Sequence, residues 1–315
     1  MLIGARLGWM GGRAAAVLAA GVVAGAVTAA VRYRRDLEVA QRRLATVGRH
    51  VVSTRFGEVE YAESGTGDPL LLSHGIFHGC DGGLTSVQDT VVDRRVIVPS
   101  RFGYLGSSLP GGASAADQAE AFVDLLDHLG LARVDVMAIS AGTSAAVHLA
   151  LRHPQRVRHL VLSWGNFPGS VTAQAPPVWA TVFFSDPAMW LMKMLARPMF
   201  AQLMGVPPGF PREPEDAAVM ARMLESIFPI GPRVAGAVLD AYRTNPEVSE
   251  YPFEALQVPT LVVHAADDPL ASYDAAAAAA ARIPGARLVS LDSGGHLQLG
   301  QTERVRNEIA AFLAS

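Results

Sequence analysis

The sequence has one cysteine, one lysine and almost no imbalance of charge. With Cys80 alone, no intramolecular disulfide can form, and a zinc site built on thiolates lacks its ligands. Cys80 itself reads as a bland loop thiol rather than a nucleophile, since no base is placed to activate it. The formal net charge is −3 over 315 residues. Without a basic stripe the chain has nothing with which to displace the counterions of a nucleic acid. Lys193 is the single lysine among many arginines, which together with abundant alanine reflects a compositional bias and not a function. Half of the residues are apolar, enough for one large domain, or one domain with an insertion, whose core needs no covalent staple.

Long hydrophobic runs are scarce too, with one exception near the N-terminus. Ala14 to Val31 carries no charge and is bracketed by Arg13 and by Arg32, Arg34 and Arg35. Eighteen helical residues would reach about 27 Å, just enough for a hydrocarbon core. Residues 1–31 are therefore expected to be a hydrophobic segment that anchors the protein in a membrane. A signal peptide cleaved near Val27-Thr28-Ala29, leaving a secreted protein, is the first alternative. A soluble helix packed on the domain is the second. Arginines after the run, with Arg42 and Arg43, outnumber Arg6 and Arg13 before it, which places the globular part on the cytoplasmic side. Residues 32–49 read as a polar linker or juxtamembrane helix.

From residue 50 the pattern becomes short apolar strands alternating with helical stretches, the signature of a largely parallel twisted sheet covered by helices on both faces. His50–Arg55 and Glu58–Glu63 form an opening hairpin around Phe56-Gly57. Leu70–Ser73, Val96–Pro99, Val134–Ile139, Arg158–Ser163, Pro259–His264 and Ala286–Leu291 are strands. Ser114–Gly130, Gly142–Arg152, Ser272–Ile283 and Gly300–Leu313 are helices. The alternation stops between residues 165 and 251, where helical stretches dense in Met, Phe, Trp and Pro replace it. The expected domains are a core of residues 50–164 and 252–315 and a helical cap, residues 165–251, over the C-terminal edge of the sheet, where ligands bind.

Four signals fall at C-terminal strand ends. Ala138-Ile139-Ser140-Ala141-Gly142 stands where a buried strand must turn sharply into a helix. Such a turn pushes a serine hydroxyl out of the sheet edge and needs small residues two positions to either side. Ser73-His74-Gly75-Ile76 follows an earlier strand, and Gly75 lets the backbone turn so that its amides point at a developing oxyanion. The N–H groups of Ile76 and Ala141 are the candidate donors, with His74 as a buried histidine that shapes the loop and transfers no proton. Asp267 and Asp268 follow the strand ending at His264, and either carboxylate there can hold an imidazole in one tautomer. His296, in the Gly-rich loop Ser293-Gly294-Gly295-His296, supplies the side chain suited to proton transfer near neutrality.

Residues from about 50 to 313 resemble the α/β-hydrolase superfamily with a helical cap. The likeness rests on Leu71-Leu72-Ser73-His74-Gly75, Arg101-Phe102-Gly103-Tyr104-Leu105-Gly106-Ser107-Ser108, the Ser140 elbow, His264-Ala265-Ala266-Asp267-Asp268-Pro269 and Gly294-Gly295-His296. Ala138 departs from the glycine usual at that place. The resemblance implies an α/β-hydrolase fold and a triad of Ser140, His296 and Asp268, the carboxylate just before the proline, with Asp267 as fallback. In relatives that carry the acid after the preceding core strand, the corresponding region here holds Asn166. The implied activity is hydrolysis of an ester with an apolar acyl group, carboxylesterase- or lipase-like, through an acyl-enzyme. A carbon–carbon bond hydrolase, a cofactor-free perhydrolase and a catalytically silent binding protein on the same scaffold are the alternatives. No metal or organic cofactor is called for, and His74, His78 and Asp81 match no familiar ligand spacing. Phe183, Phe184, Met189, Trp190, Met192, Met194, Phe200 and Met204 would either line an adaptable apolar pocket or form the core of the cap; with the expected anchor they suggest a medium-chain or lipid-derived ester.

Overall fold

The computed structural model describes residues 3–210 and 213–315, with side chains from Leu18 onward. The chain divides into two compact units, Met1–Ala45 and Thr46–Ser315. In the first, one helix, α1 (Ile3–Thr46), runs through the hydrophobic segment and on through most of the expected polar linker. Leu18, Val22, Val23, Val27 and Val31 are exposed along it.

The expectation of a membrane anchor is corrected here. Among the described residues no helix is long and apolar enough to cross a membrane. The uncharged stretch Ala14–Val31 is short for a span, about 27 Å as a helix against a ~30 Å hydrocarbon core. The run is also built of Ala and Gly, which contribute little apolar area per turn; residues 14–17 lie outside the described side chains.

The second unit is built on an eight-stranded sheet: β1 (Arg49–Thr54), β2 (Gly57–Ser64), β3 (Asp68–Ser73), β4 (Arg94–Pro99), β5 (Val134–Ile139), β6 (Val157–Ser163), β7 (Thr260–Ala265) and β8 (Arg287–Leu291). Their spatial order is β1-β2-β4-β3-β5-β6-β7-β8. The β1–β2 and β2–β4 pairs are antiparallel and every later pair is parallel. Strand residues alternate between two cores, as a period of two requires. Leu71, Val136, Ala138, Leu160, Leu162 and Val262 face one cluster, whereas Leu70, Leu72, Met137, Ile139, Val161, Leu261 and Val263 face the other. With both faces covered, β5 and β7 are buried at every position, which is why they read as mostly apolar runs, with Asp135, Thr260 and His264 their only polar members.

The helices of this unit are α2 (Cys80–Val87), α3 (Ala115–His128), α4 (Thr143–Arg152), α5 (Asp186–Leu195), α6 (Arg197–Leu203), α7 (Pro214–Ser226), α8 (Val234–Leu239), the single turn α9 (Asn245–Glu247), α10 (Tyr273–Arg282) and α11 (Thr302–Leu313). Ser114 caps α3 with a full capping box to Asp117, and Ser272 caps α10 through the Ala275 amide. Between β6 and β7 the described residues form only helices and turns. The aromatic and methionine side chains of that stretch mostly pack on one another: Met189, Met192 and Phe200 form a cluster with Phe77, Ile227 and Ile230, flanked by Phe183, Phe184 and Met204.

Helix α2 has no counterpart among the expected elements, because Gly82 and Gly83 within it argue against a helix at about 1 kcal/mol each. Tertiary packing overrides that preference. A Cβ on Gly83 would stand 2.5 Å from Val98 Cγ1, so the helix lies flush on β4 only because those side chains are missing. Cys80 is consequently not a loop residue. It starts α2, is fully buried and lies 3.6 Å from Glu60 Oε1; burial pushes its thiol up to about 12.

Candidate active site

Strand β5 ends at Ile139, and Ser140 takes up the bend with a φ of +49°. A left-handed serine is strained, and such strain collects at functional turns. The following helix must pass close behind: a Cβ on Gly142 would collide with the Ser73 carbonyl oxygen at the end of β3. Thr143 donates its hydroxyl to Ser140 O at 2.8 Å and accepts the Asn166 amide at 3.1 Å, fixing the turn from beneath.

The Ser140 hydroxyl donates to His296 Nε2 at 2.9 Å, and His296 Nδ1 donates to Asp268 Oδ2 at 2.8 Å. These are the three side chains that the sequence singled out, brought from the ends of β5, β8 and β7. Asp268 is held from every side. Its Oδ1 accepts the Leu270 and Ala271 amides at 2.9 and 3.0 Å, and His264 Nε2 lies 3.3 Å from its Oδ2. Burial works to raise its carboxyl; the neighbouring His296 imidazole, hydrogen bonds from His264 and His296, and the Ala271 amide outweigh burial and hold it well below the usual carboxylate range. Asp267 is placed differently, accepting the Gly295 amide at 2.8 Å; it braces the loop that carries His296. Asn166 is engaged elsewhere, donating to Asn245 O and accepting from Thr172.

The His296 loop is fixed at several further points. Gly294 and Gly295 both have positive φ, the Gln298 amide reaches Val263 O, and the His296 N–H donates to Gly205 O at 2.9 Å. Gly205, on the stretch after α6, leaves no room for a side chain against His296 Cβ.

On the other side of Ser140 runs the loop from His74 to Gly79. His74 is fully buried; its Nδ1 donates to Gly75 O at 2.8 Å and its Nε2 accepts the Arg101 amide at 2.9 Å. Burial and then the nearby Arg101 charge keep its pKa well below that of an ordinary imidazole. Bonded at both ring nitrogens, His74 is held as part of the loop's framework. Gly75 lies against the nucleophile: a Cβ there would stand 3.3 Å from Ser140 Cβ. The amides of Ile76 and Ala141 belong to the two segments that meet at this point.

A family profile described as "alpha/beta hydrolase fold" matches residues 68–301. The chain belongs to this hydrolase family. An uncharacterized hydrolase of Bacillus subtilis, YcgS, is 30% identical over 264 residues, 76% of this chain and 89% of that protein. A 2-hydroxymuconate semialdehyde hydrolase of Pseudomonas putida is 29% identical over 276 residues, covering 85% and 94%. Among solved structures, an α/β-hydrolase fold protein from Nakamurella multipartita superposes with a TM-score of 0.72 at 29% identity, over 84% of this chain and 99% of the other.

In this hydrolase Ser140 and His296 open onto a cavity of about 80 Å³, whose wall includes Trp164, Met204, Met223, Leu224, Ile227 and Leu270. Of the eight apolar side chains named from the sequence for a pocket, only Met204 reaches it. Two buried ion pairs that sequence reasoning missed tie the β6–β7 stretch to the loop beside Ser140. Arg101, following β4, makes a bidentate pair with Asp240 at 2.6 and 2.5 Å, and Tyr104 donates to the same carboxylate. Arg233, fully buried before α8, makes another with Asp81 on α2, both bonds 2.8 Å. The same guanidinium groups hold the loop's backbone: Arg101 Nε donates to His74 O and Arg233 Nη1 to His78 O. Partners so distant along the chain leave no local signal.

Proposed function

We propose that this hydrolase cleaves uncharged carboxylic esters with a short apolar acyl group, with Ser140 as nucleophile, His296 as base and acid, and Asp268 as the group that orients His296. The observation that carries the reading is the unbroken hydrogen-bond chain from Asp268 through His296 to Ser140, ending at the wall of an apolar cavity. In this reading Ser140 Oγ attacks the ester carbon while its proton passes to His296, and the amides of Ile76 and Ala141 receive the oxyanion. His296 then protonates the departing alkoxide, and a water deprotonated by the same imidazole releases the acid. The helical stretch of residues 165–251 serves as the lid of this pocket.

The size of the cavity favours a small acyl group. A dry cavity of about 150 Å³ takes a benzene ring, and this one has about 80 Å³. The choice therefore moves from a medium-chain or lipid-derived ester to a short one. Carbon–carbon bond cleavage is the second reading, favoured by the Pseudomonas putida relative. A substrate carrying a carboxylate would meet no lysine or arginine among the described cavity residues, and Arg101 and Arg233 are already committed to Asp240 and Asp81. An unpaired buried carboxylate is costly, so the uncharged ester is preferred.

A panel of p-nitrophenyl esters from acetyl to dodecanoyl tests this. Hydrolysis should be fastest from acetyl to butyryl and should vanish in Ser140→Ala. A fluorophosphonate probe that fails to label Ser140 in the folded wild type would point instead to a silent binding protein.

A further inference from the structure

Resting on that ester-hydrolase reading, we propose that His78 is a third donor to the reacting carbonyl: its Nδ1–H bonds the carbonyl oxygen of an ester held at Ser140. Buried polar atoms in folded proteins almost always have partners, and an exception calls for an explanation. His78 Nδ1 is shielded from solvent and has no hydrogen-bond partner within the protein. The ring nevertheless lines the cavity that holds Ser140 and His296. The point where a Gly75 Cβ would stand is 3.3 Å from Ser140 Cβ and 3.4 Å from His78 Nδ1. The free nitrogen and the nucleophile's side chain thus flank one bare glycine, at the place where the carbonyl oxygen of a bound ester would enter.

The ring is built into that position. On its other side a Cβ on Gly82 would fall 2.6 Å from His78 Cδ2 and 3.0 Å from Cγ, so Gly75 and Gly82 form the walls of its slot. Its backbone carbonyl is gripped by Arg233 Nη1 at 2.5 Å, and that arginine is locked on Asp81. Burial first, and then the Arg233 charge, bring the imidazole down to about 4, so at neutral pH it does not compete with His296 for the serine proton. A neutral ester offers only oxygen acceptors to a polar group in this cavity, so the unmatched nitrogen serves it as a donor. A prepositioned donor of this kind needs no reorganisation when charge develops on the oxygen.

The test compares His78→Phe, which keeps a ring, with His78→Asn, whose amide stands near the Nδ1 position, using p-nitrophenyl butyrate and a butyl trifluoromethyl ketone. With the ketone, Ser140 Oγ bonds to the carbonyl carbon, the serine proton passes to His296, and the former π pair rests on oxygen. The phenylalanine variant should lose about 100- to 1000-fold in kcat with KM within about threefold, and bind the ketone weaker by a similar factor; asparagine should restore part of both. In wild-type protein with ¹⁵N-labelled histidine, the ketone should move the His78 Nδ1 resonance, a measurement that needs no variant to fold. A folded His78→Phe with kcat within threefold of wild type, or an Nδ1 resonance that the ketone leaves in place, overturns the proposal. If the fluorophosphonate does not label wild-type Ser140, it is the esterase reading that fails, and this role falls with it.

Discussion

Asp267 and Asp268 are neighbours in sequence with separate tasks. Asp268 faces the imidazole, while Asp267 accepts a backbone amide of the loop that bears it. Asp268→Asn replaces the acceptor with an amide that favours the wrong tautomer of His296, a change that costs a serine hydrolase about 10⁴-fold in kcat. Asp267→Asn keeps an oxygen for the Gly295 amide and should cost less than about tenfold. Steady-state kinetics on a short p-nitrophenyl ester separates the two, and a larger loss in Asp267→Asn would exchange their roles. Ser140, His296 and this acidic pair were legible in the sequence because each follows an apolar strand and sits beside glycine or another small residue. Their juxtaposition was visible only as an order along the chain. His78 was noticed as a histidine, but its relation to Gly75 and Gly82 arises from a loop folding back on a helix, for which there is no periodicity to read.

Elements show the same division. The parallel strands β3 to β8 were readable as apolar runs because both sheet faces are covered. Helix α2 was hidden by glycines kept for packing, and the hydrophobic segment was misread because uncharged length was weighed over apolar content. The buried pairs Arg101–Asp240 and Arg233–Asp81 could not be found from local pattern at all. Each joins the β6–β7 stretch to an element of the sheet's edge. Removing one member strands a charge in the interior, and a buried pair broken in that way costs about 3–5 kcal/mol. Asp240→Ala should therefore lower the free energy of unfolding in urea by that order. The double change Arg101→Met with Asp240→Leu should recover much of it, since no charge is then left unpaired. A double variant as unstable as the single would show that the loss comes from cavity and not from charge.

At the scale of the whole molecule, several buried groups set how stability responds to acid. His74 and His78 are neutral in the fold, with Arg101, Arg233, Asp81 and His296 the charged or titratable groups around them. An unfolded chain protonates both near pH 6.5, so it binds more protons than the folded state below that value. Stability is therefore fully present above about pH 6.5 and falls as the pH drops toward 4, by up to roughly 1.4 kcal/mol per pH unit for each imidazole. Asp81 and Asp268 have lowered values in the fold; their contribution is full above the unfolded carboxylate range and is lost on further acidification. Urea titrations between pH 7 and 4 should show this decline, with a shallower slope in His78→Phe. A flat profile would mean that the imidazoles reach solvent in the folded protein.

The two buried pairs have opposite polarity: one arginine stands on the sheet side and the other on the β6–β7 side. A relative that had settled on the reverse arrangement at either pair would be equally stable by itself, yet incompatible with this chain. Shuffling residues 165–251 between such homologues would bring like charges face to face beneath the active site. The stretch is thus one half of a lock, and a laboratory chimera with a homologue of reversed polarity should fold only when positions 81 and 101 travel with it.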